Sequence, residues 1–196
     1  MERNKTSSPK GETVVNYFQD KLVFSLAERQ TFDKDVLKQA IAGCVQVDKT
    51  DDATDRTGVD YIATLSEGAR IYIDAKARMK GASRYWKHNE PELALETWSV
   101  IPYKDNPGKV GWTLSKSSDV DMILYTFDPS DCKHFYLLPF QHLRLAFIDK
   151  LDEWKHKYGT MTERSNGWMS EAIFVPASVV IRAICSSMNG IARSDI

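Results

Sequence analysis

Two short segments with alternating apolar and polar residues, separated by three residues, most constrain the fold of this chain. The first reads VDYIATL (59–65), the second reads ARIYIDAKA (69–77), and the Ser-Glu-Gly between them is typical of a hairpin turn. Alternation along the second segment places on one face Ile71, Ile73 and Ala75, and on the other face Tyr72, Asp74 and Lys76. The pattern predicts an antiparallel hairpin that carries a carboxylate and an ammonium group side by side above an apolar underside.

The other patterned segments predict helices around further strands. Apolar stripes at helical spacing are formed by Val15, Phe18, Leu22 and Leu26, and, after a cap at Thr31 or Asp33, by Val36, Leu37, Ala40, Ile41 and Cys44. Further helices are predicted over 141–158 and 177–188, strands over 92–100, 120–127, 134–140 and 173–176, and loops over 48–58 and 159–168. This order predicts a mixed β-sheet flanked by helices, of the α/β or α+β class.

The composition is that of a globular chain without a strong charge bias. Of the 196 residues, 42% are hydrophobic and 11% aromatic, which is enough for one domain, predicted over 11–196 after a flexible polar tail at 1–10. With a net charge of −1, the chain does not have the overall positive charge of a strongly basic nucleic-acid-binding protein. Any nucleic-acid contact is therefore predicted to rest on a small local surface, or on an oligomer that assembles one.

The cysteines and the hydropathy pattern bear on the compartment. Cys44, Cys132 and Cys185 match no zinc spacing or disulfide framework, which favours a reducing compartment, and Cys44 and Cys185 are expected to be buried apolar side chains. No apolar stretch is long enough to span a bilayer, and the polar N-terminus has no signal-peptide core. These features predict a soluble, cytoplasmic protein with no membrane contact.

Two aspartates on the predicted hairpin are the candidate metal ligands. Asp60 lies at the head of the first segment, and thirteen residues separate it from Asp74, a spacing that suits neighbouring strands about 5 Å apart. Two such carboxylates can hold Mg²⁺ or Mn²⁺, with water and substrate phosphate completing the coordination, and the carbonyl of Ala75 is a third candidate donor. Aspartate is disfavoured inside a strand, so Asp74 indicates a specific role.

Lys76 supplies a positive charge beside these carboxylates. Near a metal ion and a phosphodiester, a lysine can position or deprotonate the attacking water, and its charge can stabilise the transition state. The three side chains together therefore favour phosphodiester hydrolysis.

The arrangement of GVDY (58–61) followed by IYIDAKAR (71–78) resembles the PD-(D/E)xK nuclease superfamily, which has the restriction-endonuclease-like fold. Asp60 matches the first acid of the motif, with Val59 in place of the usual proline, and Asp74 and Lys76 match the second half. The resemblance spans roughly residues 11–100 and includes a helix ahead of the hairpin. It implies an Mg²⁺-dependent nuclease that cuts DNA, of phage, restriction, repair or mobile-element origin. It also implies a homodimer in many members, and no small-molecule cofactor is expected.

Two glutamates and one basic segment extend the candidate site. The resemblance makes Glu96, on the predicted strand 92–100, a candidate fourth member, and Glu12 a weaker one, because an acid in a first helical turn also complements the helix dipole. The basic residues after the motif are interleaved with Tyr85 and Trp86: Arg78, Lys80, Arg84 and Lys87. They predict either a phosphate-contacting patch with aromatic side chains for stacking, or an exposed loop anchored by two aromatics.

Three alternatives to the nuclease interpretation stay open. Asp74 and Lys76 can form an ordinary ion pair on a solvated strand face. The chain can be a catalytically silent member of the same fold that binds nucleic acid or protein. It can also be an unrelated α/β interaction protein, which an Asp60–Asp74 separation beyond about 8 Å would support.

Overall fold

The computed structural model describes residues 32–51, 58–78, 81–116, 119–128, 132, 134–165 and 168–194. The predicted first helix with its stripe from Val15 to Leu26, the tail at 1–10, Thr31, Glu12 and Lys80 lie outside the described residues. Within the described part the chain is a mixed α/β protein with two β-sheets and three α-helices. The predicted class is confirmed, whereas the expected single sheet is replaced by two.

The first helix of the described part, α1 (32–40), is shorter than its apolar stripe predicts. Val36, Leu37 and Ile41 are buried as expected, but the chain turns at Gly43, whose φ of 74° is a conformation that favours glycine. Cys44 therefore begins a strand, β1 (Cys44–Lys49), instead of completing the helical stripe. The predicted loop over 48–58 is wrong at its first two residues for the same reason.

The first sheet contains five strands in the order β1-β2-β3-β6-β7. Its members after β1 are β2 (Tyr61–Leu65), β3 (Arg70–Arg78), β6 (Met122–Phe127) and β7 (Tyr136–Pro139). The predicted hairpin is confirmed, since β2 and β3 pair antiparallel with Tyr61 opposite Ile73. β3 then pairs in parallel with β6, which places Asp74 beside Ile123 and Lys76 beside Tyr125.

The second sheet contains four strands in the order β5-β4-β9-β8. They are β4 (Glu92–Val100), β5 (Lys109–Val110), β8 (Met161–Ser165) and β9 (Trp168–Pro176). The strand predicted over 92–100 therefore exists, but it pairs with β9 and not with β3. The loop predicted over 159–168 is wrong, because most of it forms β8 and the start of β9, which pair with each other.

Two long helices, α2 (Phe140–Tyr158) and α3 (Ala177–Ser194), follow the strands close to their predicted positions and pack against each other and against β9. A short 3₁₀ turn covers Trp112–Leu114 and another covers Ala82–Tyr85. None of the described helices combines the length and apolar composition that a bilayer-spanning segment requires. Cys44 and Cys132 are half-buried and Cys185 is exposed, so the expectation that Cys44 and Cys185 are buried is wrong.

The two faces of β3 pack against different parts of the core. Ile73 and Ala75 belong to a cluster with Val36, Leu37 and other residues under α1. The opposite face carries Asp74 and Lys76, and there Tyr72 packs against the larger core shared by the two sheets and the helices. The charged face of β3 is thus turned toward the second sheet, and not toward bulk solvent.

Candidate active site

The hairpin brings Asp60 and Asp74 together at the start of β2. The backbone N–H of Asp60 donates to the carbonyl of Ile73 at 2.8 Å, which continues the ladder one residue beyond Tyr61. Oδ2 of Asp60 then accepts a hydrogen bond of 2.7 Å from the N–H of Ala75. The two aspartate side chains lie within hydrogen-bonding reach of each other. A wide separation between them, which would have favoured an unrelated protein, is not observed.

Lys76 completes this cluster. Its Nζ lies 2.7 Å from Oδ1 of Asp74, and the Asp74 side chain is 9% exposed while that of Lys76 is 31% exposed. The pair therefore differs from an ion pair on a solvated strand face, because the Asp74 side chain is buried and the Lys76 side chain is only partly exposed.

The electrostatic environment favours an added positive charge at Asp74. Burial raises the pKa of Asp74 from 3.8 to about 6; the charge and hydrogen bond of Lys76 lower the pKa, and the neighbouring Asp60 carboxylate raises it again. The positive charge of Lys76 thus compensates the charge of only one of the two neighbouring carboxylates. A divalent cation between the carboxylates would remove this excess negative charge.

The donor set fits a magnesium site of the kind completed by water and substrate. Oδ2 of Asp60 is bonded to the Ala75 N–H and Oδ1 of Asp74 to Lys76, and a cation bound between the two neighbouring carboxylates would take the place of their contact with each other. The N–H and carbonyl of one strand residue point to the same side, so the Ala75 carbonyl faces the Asp60 side of β3. Magnesium is commonly held by one or two carboxylates with waters and phosphates. Within the described ranges, no group of three or more His, Cys, Asp or Glu side chains is placed to hold a metal ion.

Glu96 lies on β4 in the second sheet and does not join the two aspartates in a three-carboxylate cluster. Its Oε2 accepts hydrogen bonds from the Ser99 hydroxyl at 2.6 Å and from the backbone N–H of Trp112 at 3.3 Å. Instead of facing the aspartates, Glu96 lines a pocket together with Arg78 and Trp112.

The predicted nucleic-acid residues are divided between this pocket and the surface. Arg78 stands on the same face of β3 as Lys76, with its guanidinium carbon 4.7 Å from the centre of the Phe174 ring. Arg84 and Lys87 are exposed on the segment that follows β3. Trp86 packs edge-on against Phe127 with 5.7 Å between ring centres, so it anchors this segment to the core.

Three aromatic residues near the site have no motif in the sequence. Tyr125 lies beside Lys76 in the β3–β6 register, and its hydroxyl accepts a 2.8 Å hydrogen bond from the N–H of Ala94. Burial raises the pKa of Tyr125 to about 12. The Trp112 ring centre is 5.6 Å from Nζ of Lys76, and Phe174 lies under Arg78. Their positions depend on pairings between distant strands, which alternation within one strand does not reveal.

No family model, curated protein or solved structure matches this chain. These comparisons identify no family for the chain, and the resemblance to a nuclease superfamily rests on the sequence motif.

Proposed function

We propose that this protein is a metal-dependent nuclease of the restriction-endonuclease-like class that hydrolyses phosphodiester bonds in DNA. The observation that carries the proposal is the convergence of Asp60, Asp74 and Lys76 at one partly open position. The motif requires Asp60 and Asp74, which lie on neighbouring segments of the hairpin, to come together. The alternation of residues within one strand does not ensure this. An aspartate as buried as Asp74 is costly to ionise, and such groups are concentrated at functional sites.

Each residue has a distinct role in this proposal. Asp60 and Asp74 would hold Mg²⁺ or Mn²⁺ with the Ala75 carbonyl on the same side; the bound ion would supply Lewis-acid activation of the phosphate. The contact of Asp60 with the Ala75 N–H fixes the Asp60 carboxylate in place. Lys76, held at 2.7 Å by Asp74 and open to the surface, donates to the attacking water or to a phosphate oxygen and stabilises the negative charge of the transition state.

The surface around the site supports a polyanionic substrate. Arg84 and Lys87 are exposed a few residues after β3, and Arg78 is on the face that carries Lys76. Lysine and arginine contacts to phosphates supply most of the sequence-independent affinity for DNA. With a net charge of only −1 for the whole chain, such contacts are local to this segment.

The test is a cleavage assay on supercoiled, linear and branched DNA, and on RNA, with Mg²⁺ or Mn²⁺. We expect cleavage of DNA by the unsubstituted protein, and a loss of about a hundredfold or more in Asp74→Asn and Lys76→Ala, because each removes part of the charge stabilisation. Asp149→Asn and Lys150→Ala are matched controls, since they alter an aspartate–lysine pair at 3.3 Å on the exposed surface of α2. Both controls are expected to cleave normally.

Two results would overturn the proposal in different ways. Cleavage that survives Asp74→Asn and Lys76→Ala would show that the activity comes from another site or from a contaminant. If the folded protein cleaves none of these substrates with either metal but retains DNA in a filter-binding assay, it is a silent binding module of similar construction.

A further inference from the structure

A half-open pocket of about 380 Å³ lies beside the candidate active site. It is lined by Ala94, Glu96 and Phe174, which share one face of the second sheet, and by Arg78 of β3 and Trp112. The volume falls within the range of pockets that hold small ligands, about 300–1,000 Å³. The pocket is therefore large enough for one planar ring system.

Aromatic rings form part of the wall of this pocket. Phe174 and Trp112 both line it, and the Arg78 guanidinium lies over the Phe174 ring at 4.7 Å. Flat aromatic and guanidinium surfaces of this kind stack on nucleobases without much dependence on sequence.

Two charged groups in the pocket retain hydrogen-bonding capacity. Both hydrogen bonds to Glu96 reach Oε2, from Ser99 and from Trp112, so in the described part of the chain Oε1 accepts none. Among the same residues, the guanidinium of Arg78 makes no hydrogen bond or ion pair, and it lies against the Phe174 ring. A ligand with a hydrogen-bond donor on its edge can satisfy Oε1 of Glu96.

The pocket is adjacent to the residues that would act on a phosphate. Lys76 and Arg78 are two positions apart on the same face of β3, a separation of about 7 Å along a strand. Nζ of Lys76 lies 5.6 Å from the centre of the Trp112 ring, which lines the pocket. A nucleotide with its phosphate at Lys76 would therefore have its base within reach of Trp112 and Phe174.

We propose that this pocket binds a nucleobase bearing an exocyclic amino group, from the nucleotide next to the scissile phosphate. The amino group donates to Oε1 of Glu96 while the ring stacks against Trp112 and against the Arg78 guanidinium, which lies on Phe174. The link to a scissile phosphate rests on the proposed nuclease function, whereas base binding itself does not. A base paired and stacked in a duplex cannot enter such a pocket, so the substrate presents this nucleotide unpaired or extruded.

The test is isothermal titration calorimetry of the full-length protein in EDTA with dAMP, dCMP, dGMP, dTMP and deoxyribose 5-phosphate. We expect the abasic sugar phosphate to bind at least about fivefold more weakly than dCMP, because it has no ring to stack. We also expect dTMP to bind several-fold more weakly than dCMP, because thymine presents a carbonyl group where cytosine has an amino group. Equal affinities for dCMP and the abasic compound, or for dCMP and dTMP, would overturn the proposal.

Glu96→Gln provides an independent readout. The glutamine oxygen is needed for the bonds from Ser99 and Trp112, so the side-chain NH₂ faces the pocket and the preference shifts from dCMP toward dTMP. Glu67→Gln, at an exposed hairpin turn, is the control and keeps the original preference. An unchanged dCMP to dTMP ratio in Glu96→Gln would refute the role of Glu96.

The two proposals fail separately. Selective nucleotide binding without cleavage of any DNA would leave the pocket intact and remove the nuclease function. Cleavage that requires Asp74 and Lys76, in a protein that does not distinguish dCMP from the abasic compound, would keep the nuclease and remove the pocket.

Discussion

Asp74→Asn is expected to make the metal-free protein more stable at neutral pH, although it should strongly reduce the proposed nuclease activity. An asparagine at this position can donate through its amide to Asp60 and accept through its oxygen from Lys76, so it replaces both contacts without a second negative charge. The substitution therefore removes the electrostatic cost of the site and keeps its shape.

The size of the effect follows from the pKa of Asp74. A rise from 3.8 in the unfolded chain to about 6 in the folded protein corresponds to about 3 kcal/mol of unfolding free energy lost when the carboxyl group is ionised. Between these two values the folded state binds more protons than the unfolded state, so this contribution makes stability fall as the pH rises. The variant has no such titration, and its advantage grows from near zero at about pH 4 to at most about 3 kcal/mol above pH 7.

The measurement is urea denaturation of both proteins in EDTA across this pH range. Asp149→Asn serves as the control, because Asp149 is exposed on α2 and its ion pair with Lys150 lies in solvent, so the substitution should change the unfolding free energy by less than about 1 kcal/mol. If Asp74→Asn is less stable than the unsubstituted protein at neutral pH, or if the difference does not change between acid and neutral pH, the electrostatic description of the site is wrong.

Two further outcomes are expected. Mg²⁺ should raise the melting temperature of the unsubstituted protein more at about pH 7.5 than at about pH 5.5, because protons compete with the metal for Asp74. The measurement is differential scanning calorimetry. An equal rise in Asp60→Asn and Asp74→Asn would contradict binding of the metal at this pair. Tyr125→Phe should lower the unfolding free energy by about 1–3 kcal/mol, because the Ala94 N–H loses its acceptor. A loss below about 0.5 kcal/mol in urea denaturation would show that another group replaces the hydroxyl.

The sequence allowed the hairpin and the faces on which its residues lie to be predicted, because both are local features. Alternation in β3 assigned Ile73 and Ala75 to one face and Asp74 and Lys76 to the other, and the Gly-containing turn fixed the pairing with β2. The burial of Ile73 follows the same alternation. Once the turn was recognised, the meeting of Asp60 with Asp74 needed no information from the rest of the chain.

The second sheet could not be predicted in the same way. β4 showed a clear alternation, with Leu93 and Leu95 buried, but alternation does not identify a partner strand, and the partner is β9. β8 reads MTERS, which contains too few apolar residues to be distinguished from a loop, and it is a strand because it pairs with β9 at the edge of the sheet. Glu96 was accordingly expected at the metal, while the structure places it in the adjacent pocket.

Helix α1 was overestimated because its apolar spacing continues to Cys44 past a glycine. A glycine at the end of a helix favours the left-handed conformation that stops it, and Gly43 adopts this conformation. The stop signal was therefore present in the sequence and outweighed the periodicity.

The pairing of β4 with β9 has a consequence for how the protein matures. Glu92 lies opposite Pro176, so the ladder between these strands closes only after the residues up to Pro176 have left the ribosome. The β2–β3 hairpin that carries both aspartates needs only a short turn to close. During synthesis the pair of aspartates can thus form well before the pocket that lies beside it, so a nascent chain would acquire Asp60 and Asp74 in their final arrangement first and the lining of the pocket last.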